Sequence, residues 1–123
     1  MALPNSQVTT NVVAAMGNLK IVEALTLNFG TVASIAANTT TEITFTGLLS
    51  GLIAGDVIVG VSKPTAQAGL GIVGWRVDPL LADTFYVTYA NTTAAPIVPT
   101  AAQVYTVVVG RFTTSNTGLT AVV

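Results

Sequence analysis

The sequence predicts an all-β fold, a two-sheet antiparallel β-sandwich of jelly-roll or immunoglobulin-like connectivity behind an extended N-terminal arm. Three observations carry this. Short apolar runs alternate with period 2. Turn signals separate them at the roughly 8–12-residue spacing of sandwiches and barrels. No helical pattern of about ten residues or more interrupts them, which argues against a parallel α/β sheet.

The elements follow in order. Residues 1–17 read as an arm. Leu3-Pro4-Asn5-Ser6 is a poor helix start, Val8–Val13 alternates weakly, and Gly17-Asn18 punctuates before a sandwich domain of 18–123. Ile21, Glu23, Leu25, Leu27 and Phe29 then fall on one face of a strand, although Ala, Leu and Glu leave a short helix over Val22–Leu27 open. Thr31–Ala36 is a plausible short strand, and Glu42–Thr46 alternates with Ile43 and Phe45 inward. Gly47–Gly55 is irregular. Gly55-Asp56 turns into a valine strand with Val57, Val59 and Val61 on one face, and Lys63-Pro64 ends it because proline lacks the ladder N–H.

After the small-residue loop Thr65–Gly71, Ile72–Val77 places Val73, Trp75 and Val77 together. Asp78-Pro79 and Ala82-Asp83 flank the next turn. Thr84–Tyr89 follows, with Phe85, Val87 and Tyr89 inward. Asn91–Thr100 holds Pro96 and Pro99 and reads as a loop. Gln103–Phe112 is the last long strand, Thr113–Gly118 a polar turn, and Leu119–Val123 an apolar tail. Seven or eight strands are expected, with Phe45, Val57, Val59, Trp75, Phe85, Val87 and Val107 in the core.

Composition narrows the function. The 123 residues include four Lys and Arg, five Asp and Glu, no His and no Cys. Disulfides and thiolate metal sites are excluded. Ser and Thr nucleophiles have no histidine to activate them, so an enzyme is not expected. A net charge of −1 with scattered basic residues offers no footprint for nucleic acid. Mean hydropathy is +0.73. The most apolar stretch, Gly47–Val61, is broken by Ser50, Asp56 and glycines, which is poor material for a spanning helix. The N-terminus lacks a signal-peptide pattern, so a soluble product made in the cytoplasm is expected. Soluble domains normally carry about 25% charged residues, against 7% here. A chain this poor in charge suits a life packed against other protein.

The candidate chemistry is thin. Asp56, Asp78 and Asp83 each sit at a predicted turn, where a carboxylate bonds the local backbone. No acid pair is spaced for glycoside hydrolysis and no DxDxDG calcium loop exists. Lys63 or Arg76 could pair with Asp56 or Asp78. Gly69–Gly74 spells GxGxxG but runs into a strand rather than opening a helix. Two Asn-x-Thr matches, at Asn38 and Asn91, lack a secretory context. Tyr86 shares a face with Thr84 and Thr88, opposite the expected core, where an interface would favour it.

Two runs carry a resemblance. Ala54–Leu70 has a GD turn, a valine strand and a KP stop. Ala82–Pro96 has ADT, a strand and an N-x-T-A-x-P loop, followed by the closing strand from Tyr105-Thr106-Val107 to Val109. Together, over about residues 47–110, they resemble small virion structural proteins of tailed bacteriophages, among them capsid decoration (cement) proteins. The resemblance implies a non-enzymatic virion protein without cofactor or metal, on the capsid exterior, whose partners are the major capsid protein and copies of itself, with a trimer favoured over a dimer. Tail or head-fibre components contacting a host receptor use similar modules and remain the alternative. Nucleic acid and membrane are not expected partners. The residues expected at capsid or subunit contacts are Leu3, Val8 and Val12 of the arm, with Glu23, Glu42, Arg76, Tyr86 and Arg111.

Overall fold

A computed structural model describes residues 19–112, with side chains from Glu23 onward. The expected arm and the segment 113–123 lie outside the described residues. Among the described residues six strands form: β1 (Leu19–Asn28), β2 (Thr39–Thr46), β3 (Val57–Ser62), β4 (Leu70–Val77), β5 (Thr84–Asn91) and β6 (Val104–Phe112). They make two antiparallel three-stranded sheets, ordered β1–β6–β3 and β2–β5–β4. The chain changes sheet at every connection except β4 to β5. Because β1 pairs with the last described strand and β2 with the fifth, the ladders are nested. That is jelly-roll rather than immunoglobulin-like connectivity.

The alternation read from the sequence places the core. Leu25 and Leu27 of β1 stand opposite Val107 and Tyr105 of β6, while Phe45 of β2 stands opposite Phe85 of β5. Phe85, Val87, Tyr89, Tyr105 and Val107 are fully buried. Phe29, just beyond β1, stacks on Tyr105 with ring centroids 3.9 Å apart and leans on Phe45 at 4.3 Å. Phe45 stacks in turn on Phe85 at 5.2 Å. The aromatic cluster therefore joins both sheets. The Tyr89 hydroxyl donates to the Tyr105 hydroxyl at 2.9 Å, so the one polar contact between these rings also crosses the sheets. Burial pushes both phenols above their ordinary titration range.

Two bulges change the expected core. In β3 the register shifts between Ile58 and Gly60, which leaves Val59 out of the ladder. The inward side then passes from Ile58 to Val61, Val59 is exposed and Val57 is only half-buried. In β4 the shift falls between Ile72 and Gly74. Leu70 and Ile72 face inward before it, Trp75 and Val77 after it, and Val73 is exposed. Trp75 stands opposite Val87 but remains 38% exposed, because β4 is the outer strand of its sheet. An extra residue reverses the period-2 count, so Val57 and Val59 miss the core positions expected for them and Val73 leaves the face expected to hold it with Trp75 and Val77; Trp75 faces inward and falls short of the core only because its strand is the outer one.

Thr31–Ala36 is not a strand. Val32 and Ile35 are buried nonetheless, and Ile35 exchanges two backbone hydrogen bonds with Ile97 at 2.8 and 3.0 Å. The buried Asn91 amide donates to the carbonyls of Ile35 and Ala95, which ties this loop to the end of β5. Val22–Leu27 is strand, not helix. At Gly69 φ is +77°, and a Cβ there would run into the Thr93 methyl, so loop packing accounts for the first glycine of GxGxxG.

Replacing Tyr105 by Phe leaves the buried Tyr89 hydroxyl without its acceptor and should lower stability by about 1–3 kcal/mol. Tyr89→Phe combined with Tyr105→Phe should recover most of that loss, since neither hydroxyl is then orphaned. Urea unfolding of the three variants checks the cycle.

Candidate interaction surface

The outer face of the β2–β5–β4 sheet gathers three of the residues singled out from the sequence. Thr44 of β2, Tyr86 of β5 and Arg76 of β4 form one row across the sheet. The Arg76 guanidinium lies 3.9 Å above the Tyr86 ring centroid. It reaches over that ring to Glu42 and binds it with two hydrogen bonds, Nε to Oε2 at 2.8 Å and Nη2 to Oε1 at 2.7 Å. The Tyr86 hydroxyl donates to Asp78 Oδ2. The other Asp78 oxygen accepts the amides of Leu80 and Leu81, each at 2.7 Å. A single line of contacts thus runs from an outer strand to the tip of the β4–β5 turn. Arg76 holds the Glu42 carboxyl below its ordinary range, and the Tyr86 hydroxyl with two backbone amides does the same for Asp78. Around this line the face is threonine: Thr40, Thr44, Thr46 and Thr88.

Arg111 serves the other sheet. It forks onto Asp56, Nε to Oδ1 at 2.8 Å and Nη2 to Oδ2 at 2.7 Å, and Nη2 also donates to the Gly51 carbonyl at 2.7 Å. The Asp56 side chain is 1% exposed and also accepts the Ile53 amide. Its carboxyl is held below the ordinary range, chiefly by the Arg111 hydrogen bonds. Asp83, at φ +56°, accepts the amides of Gly51 and Leu52 from the neighbouring loop. Asp56 and Asp83 therefore hold the loop 47–56 from two sides. Glu23 lies near Arg111, and both line a cavity of about 230 Å³ with Leu25, Leu49 and Val109. From the two loops at this end Ile53, Leu80 and Leu81 project into solvent, Leu80 at 90% exposure.

The outer face of β1–β6–β3 has no charged side chain among its described residues. Ala24, Thr26 and Asn28 pair with Val108, Thr106 and Val104, and Gly60 and Ser62 flank them.

Of the expected contact residues, Glu42, Arg76 and Tyr86 converge, Arg111 and Glu23 share the cavity at one end of the sandwich, and Leu3, Val8 and Val12 lie outside the described residues. Asp56 and Asp78 bond local backbone, as their Gly and Pro neighbours suggested, whereas Asp83, expected to do the same, reaches the amides of Gly51 and Leu52 in the neighbouring loop. The expected pairing of Lys63 or Arg76 with Asp56 or Asp78 is replaced by Arg76–Glu42 and Arg111–Asp56. Lys63 donates to Thr65 O and Gln103 Oε1 instead. Asp78 as the anchor of Tyr86 was missed, since only the folded sheet brings the Asp-Pro turn to that hydroxyl. Comparison with protein-family models, with curated proteins and with solved structures returns no match.

Asp56, Asp78 and Glu42 all have folded-state pKa values below their unfolded ones. Their stabilisation is present above the unfolded values and is lost as pH falls through the folded ones. Thermal stability should be flat from neutrality to about pH 5 and decline below about pH 4. Asp56→Ala should lower stability at neutral pH by about 2 kcal/mol, because it orphans the Ile53 amide and a partly buried guanidinium. Its acid decline should be shallower than that of the wild type in melts followed by circular dichroism.

Proposed function

We propose that this chain is a non-enzymatic structural protein that decorates the outer surface of a tailed-bacteriophage capsid, as a small homo-oligomer bound to the major capsid protein. One observation carries the assembly part of this reading. Every described charged side chain except Glu23 is engaged by a partner within the chain: Glu42 with Arg76, Asp56 with Arg111, Asp78 with the amides of its turn, Asp83 with amides of the loop 47–56, and Lys63 with Gln103. Little charge is left to hydrate the surface, and both sheet faces consist largely of threonine, valine and other small neutral side chains. Such faces lose little hydration when covered, which favours association over free existence. Copies on a symmetric shell gain further from avidity, since each contact need only be weak.

The capsid part rests on the resemblance of residues 47–110 to phage virion proteins. An N-terminal arm of the kind expected from the sequence of residues 1–17 would suit that role, because a strand-like segment can add to a neighbouring sheet.

In purified particles that carry the chain, electron cryo-microscopy should find it outside the head, at a copy number matching the symmetry sites of the lattice. A few copies confined to the tail would replace this reading by that of a tail or fibre component. Deleting residues 1–17 should leave the unfolding midpoint unchanged and abolish head occupancy; full occupancy would exclude the arm as the anchor.

A further inference from the structure

The two sheets have four outer strands, and their edges differ. β3 and β4 approach each other where the sheets meet, and both carry bulges. β1 carries a register shift between Leu19 and Ile21 and includes Lys20 and Glu23. These are the usual devices that stop an edge from pairing with another chain. β2 has neither a bulge nor a lysine, and its one charge, Glu42, is bound by Arg76 of the same sheet. Thr39–Thr46 pairs with Asn91–Thr84 in unbroken register, contains no Pro, Gly or Lys, and pairs on its other side with no described strand.

We propose that the β2 edge is a self-association site, at which β2 of a second copy adds antiparallel across a two-fold axis at Ile43. Face and charge select this register. Residues directly opposite in an antiparallel pair share a face, and faces alternate with period 2. In a two-fold pair the two opposed residue numbers must therefore sum to an even value. Only two such registers pair seven residues of β2 with their mates. A sum of 84 sets Glu42 against the second copy's Glu42, where like charges repel. A sum of 86 sets Ile43 on the axis, Glu42 opposite Thr44, Thr41 opposite Phe45, and Thr40 opposite Thr46. Each Glu42 is already bound by its own Arg76 on the outer face, so the joined edge carries no unpaired charge. On the inner face Ile43, which packs against the core, meets its mate and continues the apolar layer. The product is one six-stranded sheet, β4–β5–β2 joined to its copy, and isologous closure ends the association at two. This gives a dimer where the sequence favoured a trimer. The inference concerns the isolated chain and stands apart from the capsid reading.

The chain has no cysteine, so any disulfide formed by a single-cysteine variant is intermolecular. Ile43→Cys should oxidise to a covalent dimer, since residues on the axis lie about 4.5–5.5 Å apart. Thr40→Cys should not, because its mate is about 20 Å away along the strand. Light scattering should give a dimer for the wild type. Thr44→Glu places a carboxylate opposite the second copy's Glu42 and should weaken the dimer about tenfold at low salt. Thr44→Lys should hold it, and matching unfolding midpoints would show that both variants fold. A monomeric wild type, equal cross-linking at positions 40 and 43, or equal behaviour of the two Thr44 variants would each overturn the proposal.

Discussion

The stack of Phe29 on Tyr105, leaning against Phe45 and Phe85, is the contact on which the sandwich depends. Each sheet has three described strands and one apolar face, which must be buried against another layer. Phe29 supplies the join. It follows β1, yet its ring lies between side chains of both sheets, and the Phe29 amide bonds the Gln103 carbonyl just before β6. Truncating one buried aromatic costs about 3–5 kcal/mol, whereas an exposed ion pair contributes about 0–1 kcal/mol. The aromatic seam therefore governs stability, and the charges have a different role.

That role is positional. Three aspartates each tie down a turn or loop, and two arginines each fork onto a carboxylate from a distant segment. The loops 47–56 and 78–83 are thereby held while presenting Ile53, Leu80 and Leu81 outward. A loop fixed before it meets a partner loses less entropy on binding. The same arrangement links the polar face to the loop tip, because Tyr86 lies under Arg76 and bonds the aspartate that caps Leu80 and Leu81.

Much of this was legible in the chain, and what was hidden has physical causes. Alternation located β1, β2, β5 and β6, and the inward side of β2, β5 and β6, since those strands keep their period through the core. It misplaced Val59 and Val73 because a bulge is one extra residue, and nothing local in a run of valines and glycines marks which residue leaves the ladder. Val32 and Ile35 read as a strand because they are apolar; they are buried in a loop where the Ile35 carbonyl accepts from the Ile97 amide and the Asn91 side chain. Asp56 and Asp78 were readable because their bonds are local, while the reach of Asp83 to Gly51 and Leu52 depends on the fold. The Arg76–Glu42 and Arg111–Asp56 pairs span 34 and 55 residues, so only the nesting of strands decides them.

The placement of irregularity is itself informative. Bulges in β3 and β4 fall on the edges that face each other across the sheet boundary, where a regular ladder would invite the two sheets to zip together or recruit another chain. Low charge weakens the ordinary protection against such pairing, since a net charge of −1 gives little repulsion between copies. Backbone irregularity is then the remaining defence, and the chain uses it on β3 and β4 but not on β2. An edge of eight regular, mostly β-branched residues, whose single carboxylate is neutralised within its own sheet, has every feature that promotes strand addition and none that opposes it. The scarcity of charge and the regularity of β2 thus have the same physical consequence, a surface stabilised by being covered.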